Sequence, residues 1–105
     1  MKKYTLEELQ KLVNEQAQKR GGYWPTEGLI YQMISELGEL ADAQNKVSGN
    51  KPVKKDSEPP NIPHELADLF YAIICFANSH KIDLSKTLLE KMGIFEERDK
   101  DRFKK

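Results

Sequence analysis

The chain has 105 residues, and its 17 lysines and arginines balance 17 aspartates and glutamates. That length fits a single domain, residues 1–105, and zero net charge excludes a general nucleic-acid or membrane-surface binder, which carries a basic excess. One cysteine, Cys75, excludes an internal disulfide and suits a reducing cytoplasmic setting.

Thr5-Leu6-Glu7-Glu8 reads as a capping box that starts a first helix, Leu6 to about Arg20. Leu6, Leu9, Leu12, Val13 and Ala17 recur on one face, and Gly21-Gly22 ends the segment. No apolar stretch follows the N-terminal lysines, so no signal peptide is expected. A second helix runs from Thr26 to about Val47. Its buried face is read as Leu29, Ile30, Met33, Ile34, Leu37, Leu40 and Ala41. The stretch from Gly49 to Pro63 holds Pro52, Pro59, Pro60 and Pro63 together with Lys51, Lys54 and Lys55. It reads as a loop, about 49–61, without structure of its own.

A third helix is expected from about Ile62 to His80, with Pro63 tolerated in the first turn. Its run Leu69 to Ala77 is apolar on all sides, far short of the ~20 residues that span a bilayer. A helix apolar all round must be covered all round. Three short helices of so small a chain cannot do that, so a homo-oligomer is expected, with this helix near the interface. Asp83 caps a fourth helix from Leu84 to about Met92, which Gly93 interrupts. The remainder, Phe95 to Lys105, is a charged tail with helical character. The fold class is thus all-α, a bundle of about four helices completed by oligomerisation.

Glu36 and Glu39 in Ser35-Glu36-Leu37-Gly38-Glu39-Leu40-Ala41, and Glu65 and Asp68 in His64-Glu65-Leu66-Ala67-Asp68-Leu69, are the residues richest in chemistry. Within each pair the i, i+3 spacing puts both acids on one helix face. Both pairs lie among apolar residues, where an unpaired carboxylate is costly. Two such pairs facing each other would form an oxygen cage for Mg²⁺, with Mn²⁺ as the alternative. Such a site binds phosphate esters and polarises the phosphoryl group. Gly38 leaves the space between its neighbouring acids open to a phosphate or another helix. On spacing alone, solvated surface acids remain the competing reading.

These residues resemble the signature of the MazG-type nucleotide pyrophosphohydrolases, within the all-α NTP pyrophosphohydrolase superfamily. The resemblance extends to Gly22-Tyr23-Trp24, Gly49-Asn50-Lys51-Pro52, Phe76-Ala77-Asn78, Ile82-Asp83-Leu84 and Arg98-Asp99-Lys100-Asp101-Arg102-Phe103. It implies a helical homodimer or homotetramer with Mg²⁺ held by Glu36, Glu39, Glu65 and Asp68. It also implies cleavage of a nucleoside triphosphate between the α and β phosphates, with Glu36 or Glu39 acting on the attacking water. Ser35 stands where many members carry a second acid, which counts against a second metal. Ile94, Phe95 and Glu96 stand near where many members carry a Lys and an Asn, and Lys91 is the nearest substitute.

Other residues have two readings each. Trp24 stacks on a base or packs its loop; Lys51 and Lys54 reach phosphates or stay solvated. Asn78 bonds substrate or caps the third helix, and Arg98 binds phosphate across an interface or forms surface ion pairs. His64 is a first-turn surface histidine rather than a ligand, because Mg²⁺ prefers oxygen. His80 reads as a helix C-terminal residue that interacts with the dipole. The rival functions are a non-catalytic helical interaction module whose acids are structural, and the same fold acting on a phosphoribosyl-nucleotide.

Overall fold

The computed structural model describes residues 1–100. They form four helices, α1 (Leu6–Lys19), α2 (Thr26–Val47), α3 (Ile62–Ser79) and α4 (Leu84–Asp99). No strand occurs among the described residues. None of these helices is long and apolar enough to cross a membrane.

Local chemistry sets the helix ends. Thr5 and Glu8 form the expected capping box, with Thr5 Oγ1 accepting from the Glu8 N–H at 3.1 Å and Glu8 Oε1 from the Thr5 N–H at 2.9 Å. Asn61 caps α3 by accepting from the His64 N–H at 3.1 Å, and Asp83 caps α4 by accepting from the Lys86 N–H at 3.1 Å. Gly21, at φ 98°, turns the chain out of α1: its N–H donates to the Gln18 carbonyl, and the Gly22 N–H to that of Ala17. Gly49, at φ 79°, ends α2 by the same device, donating to Lys46. Lys81 adopts this left-handed conformation at φ 56° without being a glycine.

α2 and α3 pack along each other, α1 lies across α3, and α4 rests chiefly against α1. Ala72, Ile74, Cys75 and Ala77 of α3 are buried, with Ala17 of α1 and Leu29 and Ala43 of α2. Small residues at these contacts let the helix backbones approach closely.

A polar clamp ties the far ends of these helices together. Gln10, buried in α1, donates through Nε2 to Asn78 Oδ1 and to the Ile82 carbonyl, both at 2.9 Å. Its Oε1 accepts from the Leu84 N–H at 3.0 Å, and Asn78 Nδ2 donates to the Gln10 carbonyl at 2.8 Å. One glutamine thus satisfies groups from α1, α3 and the start of α4, where an unmade bond would cost more than the net gain of a made one.

Two expectations are corrected. Gly93 does not interrupt α4, which continues to Asp99: a glycine costs a helix interior only about 1 kcal/mol, which its neighbours in the helix outweigh. The residues from 101 onward in the expected tail lie outside the described ones. The α2 face is also only partly covered within the chain. Leu29 is buried, and Met33 and Leu40 are half-buried, but Ile30, Ile34, Leu37 and Ala41 are exposed, because α1 packs on α3 and leaves that side of α2 bare.

Gln10→Ala leaves the Leu84 N–H, the Ile82 carbonyl and Asn78 Oδ1 without their partner. A loss of about 2–3 kcal/mol in urea denaturation is expected; a loss below about 0.5 kcal/mol would contradict the clamp.

Candidate metal and nucleotide site

The i, i+3 spacing on α2 and α3, and the packing of these helices on each other, bring carboxylates together across the groove. One oxygen from each of Glu36, Glu65 and Asp68 lies within 4.8 Å of the others. Glu36 and Glu65 are half-buried and Asp68 is exposed. Opposed ligands of Mg²⁺ sit about 4 Å apart and those of Ca²⁺ about 5 Å, so the three oxygens are spaced for a hard divalent cation.

Unpartnered atoms point the same way. Glu36 Oε2 and Glu65 Oε2 are buried and have no hydrogen-bond partner among the described residues. The other oxygen of Glu36 accepts from Gln32 Nε2 at 2.6 Å, which fixes the carboxylate's orientation. Burial pushes the Glu36 carboxyl above its ordinary range, and the charges of Glu39 and Asp68 push the same way; the Gln32 bond opposes them. A purely structural cluster would satisfy these oxygens with donors. A cation would satisfy them, and the all-oxygen donor set fits a hard one.

Glu39 lies outside the three-oxygen cluster. It is exposed, one turn along α2, in a groove it shares with Asp42, His64, Glu65 and Asp68. Asp42 takes ion pairs from Lys46 at 2.9 Å and from Lys51, so one loop lysine is anchored beside the acids. Hydrogen bonds from Lys51 and then Lys46 hold the Asp42 carboxyl below its ordinary range.

On the other side of Glu36 and Asp68 opens a cleft of about 460 Å³. Its walls come from α1 (Ala17), α2 (Leu29, Gln32) and α3 (Tyr71, Ala72, Cys75), and Arg20 and Trp24 also line it. Trp24 is 60% exposed, with its ring available at the cleft rather than packed away. Tyr23 beside it is tied to α1 by donating to Asn14 Oδ1 at 2.6 Å. The Tyr71 hydroxyl donates to Gln16 at 2.8 Å. Burial raises the Cys75 thiol, which keeps it neutral.

The remaining candidates lie elsewhere in the chain. Asn78 belongs to the clamp with Gln10, ten residues beyond Asp68 on α3. Lys54 is exposed, and its carbonyl accepts from the Ser57 N–H at 3.1 Å and hydroxyl at 2.8 Å in a small turn. Lys91 and Arg98 sit over the Phe95 ring on α4, at 4.8 and 4.9 Å, and Arg98 also pairs with Asp99 at 2.8 Å. His64 is exposed; His80 is the C-cap of α3, stacked on Phe76 at 4.3 Å. Sequence reasoning missed Arg20, because a cation before Gly-Gly reads as an ordinary helix stop, and Gln32, because a glutamine one turn before an acid has no spacing signature.

The raised Glu36 carboxyl fixes a sign. Its contribution to stability is complete below the ordinary glutamate range and is lost as pH rises through the raised value. In chelator, Glu36→Gln should therefore melt higher than the parent protein at neutral pH, by a margin that shrinks on acidification. Melting curves from pH 4 to 8 check this; a margin independent of pH would contradict it.

The MazG nucleotide pyrophosphohydrolase domain matches residues 25–103. The uncharacterised protein YpjD of Bacillus subtilis (strain 168) is 32% identical over 100 residues, covering 94% of this chain and 90% of its own. The crystal structure of YpjD from Bacillus subtilis superimposes with a TM-score of 0.79 at 31% identity, over 94% of this chain and all of that one. A Bacillus-conserved MazG protein described as a nucleotide pyrophosphohydrolase superimposes with a TM-score of 0.78, also at 31% identity, over 96% of this chain and 99% of its own. On the extent of these matches, the chain belongs to the MazG nucleotide pyrophosphohydrolase family.

Proposed function

We propose that this protein is a Mg²⁺-dependent hydrolase of nucleoside triphosphates that releases pyrophosphate and the nucleoside monophosphate. The observation that carries the reading is the pair of buried, unpartnered oxygens on Glu36 and Glu65, aimed into an acidic cluster that borders a cleft of nucleoside size. Family membership supports cleavage of a nucleotide's pyrophosphate linkage.

Glu36, Glu65 and Asp68 would hold the cation. When bound, it neutralises charge and polarises the phosphoryl oxygens. Glu39, exposed in the same groove and outside the three-oxygen cluster, keeps an oxygen for the proton of the attacking water. The water oxygen bonds to the α phosphorus, the bond from that phosphorus to the bridging oxygen breaks, and pyrophosphate leaves with the electron pair. Trp24 and the cleft walls hold the base, away from bulk water. Lys51, placed beside the groove by Asp42, would meet the phosphates of a bound nucleotide, as would Lys54 further along the same loop.

The bare stripes favour a homodimer or homotetramer, and the lone cysteine suits a reducing cytoplasm. Ile30, Ile34 and Leu37 on α2, Leu66 and Phe70 on α3, and Leu88, Leu89, Met92, Ile94 and Phe95 on α4 are all exposed within one chain. So much apolar surface on a chain this small marks an interface. Lys91 and Arg98 lie on that same α4 surface and would meet phosphate from a neighbouring subunit.

Pyrophosphate release from the common nucleoside triphosphates should require Mg²⁺ and vanish in chelator; release unaffected by chelator would overturn the reading. Glu39→Gln should lose at least ~10²-fold in kcat while its Mg²⁺-induced rise in Tm persists; near-normal kcat would remove Glu39 from the site. Lys54→Ala should change KM by no more than about fivefold, the ceiling for one exposed charge contact; complete loss of activity would contradict a solvated role for that side chain.

A further inference from the structure

Arg20 is the only cation among the residues that line the cleft. Its guanidinium has no hydrogen bond or ion pair among the described residues. It caps the C-terminus of α1 through its backbone, and the two glycines that follow turn the chain so that Trp24 reaches the same cleft. Its side chain is therefore free to serve a ligand without loss to the fold.

Its depth in the cleft matters. Tyr71 and Cys75 line the cleft together with Arg20, whose charge favours the ionised form of each. Those residues lie three and seven positions beyond Asp68 on α3, about 5 and 10 Å along the helix axis. A phosphate on the acidic cluster sits at the level of Asp68. Arg20 is therefore at the depth of what the phosphate carries, its sugar and base.

Resting on the nucleotide reading above, we propose that Arg20 selects the nucleobase, its planar fork donating two parallel hydrogen bonds to bases that present two adjacent acceptors on one edge. Guanine (O6 and N7) and cytosine (O2 and N3) present such a pair. On adenine and uracil no two acceptors stand adjacent on one edge: C2–H separates adenine N1 from N3, and N3–H separates uracil O2 from O4. Lysine carries the same charge without the fork, so it does not replace arginine in this role.

Trp24, the sole tryptophan, provides the readout. Its fluorescence should be titrated in Mg²⁺ with the α,β-methylene analogues of GTP, CTP, ATP and UTP, which bind without being cleaved. The full-length wild type and the Arg20→Lys and Arg20→Ala variants are compared, with melting curves confirming that all three fold. The wild type should bind the guanine and cytosine analogues about tenfold more tightly than the other two, and both variants should erase the gap. Equal weakening for all four in Arg20→Ala, with Arg20→Lys retaining affinity, would show a phosphate contact through charge and overturn the inference. Unchanged affinities would overturn it as well. A wild type that neither binds any analogue nor releases pyrophosphate from any nucleotide would remove the hydrolase reading and this inference together, whereas binding without base discrimination removes only this one.

Discussion

Like charges held at close quarters constrain this structure more than anything else. Glu36, Glu65 and Asp68 put three carboxylate oxygens within 4.8 Å of one another, with two neighbouring oxygens buried and unpartnered. Such an arrangement repels itself in the absence of a cation, and the Glu36 carboxyl is raised by burial first and by the charges of Glu39 and Asp68 after it. It persists because the packing of α2 on α3 holds the backbones from which the acids project. The fold thus keeps its least favourable electrostatic feature where a divalent ion would reverse the sign of that energy. Helix packing supplies the geometry, and a bound ion would supply the missing attraction.

The rest of the chain reads as support for that groove. α1 covers α3, and the Gln10–Asn78 clamp fixes α1, α3 and the start of α4 at the end of the bundle remote from the acids. The turn at Gly21 and Gly22 brings Trp24 to the cleft, and Tyr23 anchors that turn to Asn14. Side-chain chemistry is thereby divided along α3: acids at Glu65 and Asp68, then the cleft wall at Tyr71, Ala72 and Cys75, then the clamp at Asn78. A nucleotide has the same order, phosphates at one end and base at the other. The apolar stripes left bare on α2, α3 and α4 are the counterpart of a core too small to cover them.

Much of this was legible in the sequence, and the exceptions have physical causes. Helix starts at Leu6, Thr26, Ile62 and Leu84 follow from side-chain caps and prolines that act within a few residues, so the chain order alone reveals them. The acid pairs were legible because i, i+3 spacing survives any packing of their helices. Gly93 misled because a glycine's cost is small beside that of breaking a helix. The α2 face misled because apolar periodicity identifies what is to be covered without identifying what covers it. Glu39 was grouped with its neighbours by spacing, and its side chain approaches Glu36 without joining the three-oxygen set. Arg20 and the Gln10 clamp left no local pattern, since they depend on the walls of the cleft or on partners distant in the chain, and Gln32 stands one turn before Glu36 at a spacing too common to single out.

The central claim is that α2 and α3 together hold one hard divalent cation. Electron paramagnetic resonance of Mn²⁺ titrated into chelator-stripped protein tests it directly, because bound and free Mn²⁺ give different signals. The account predicts saturable uptake that Mg²⁺ displaces and that Glu65→Gln and Asp68→Asn each weaken by at least about tenfold. Mn²⁺ that stays free at every protein concentration, with and without a nucleotide analogue, would contradict it.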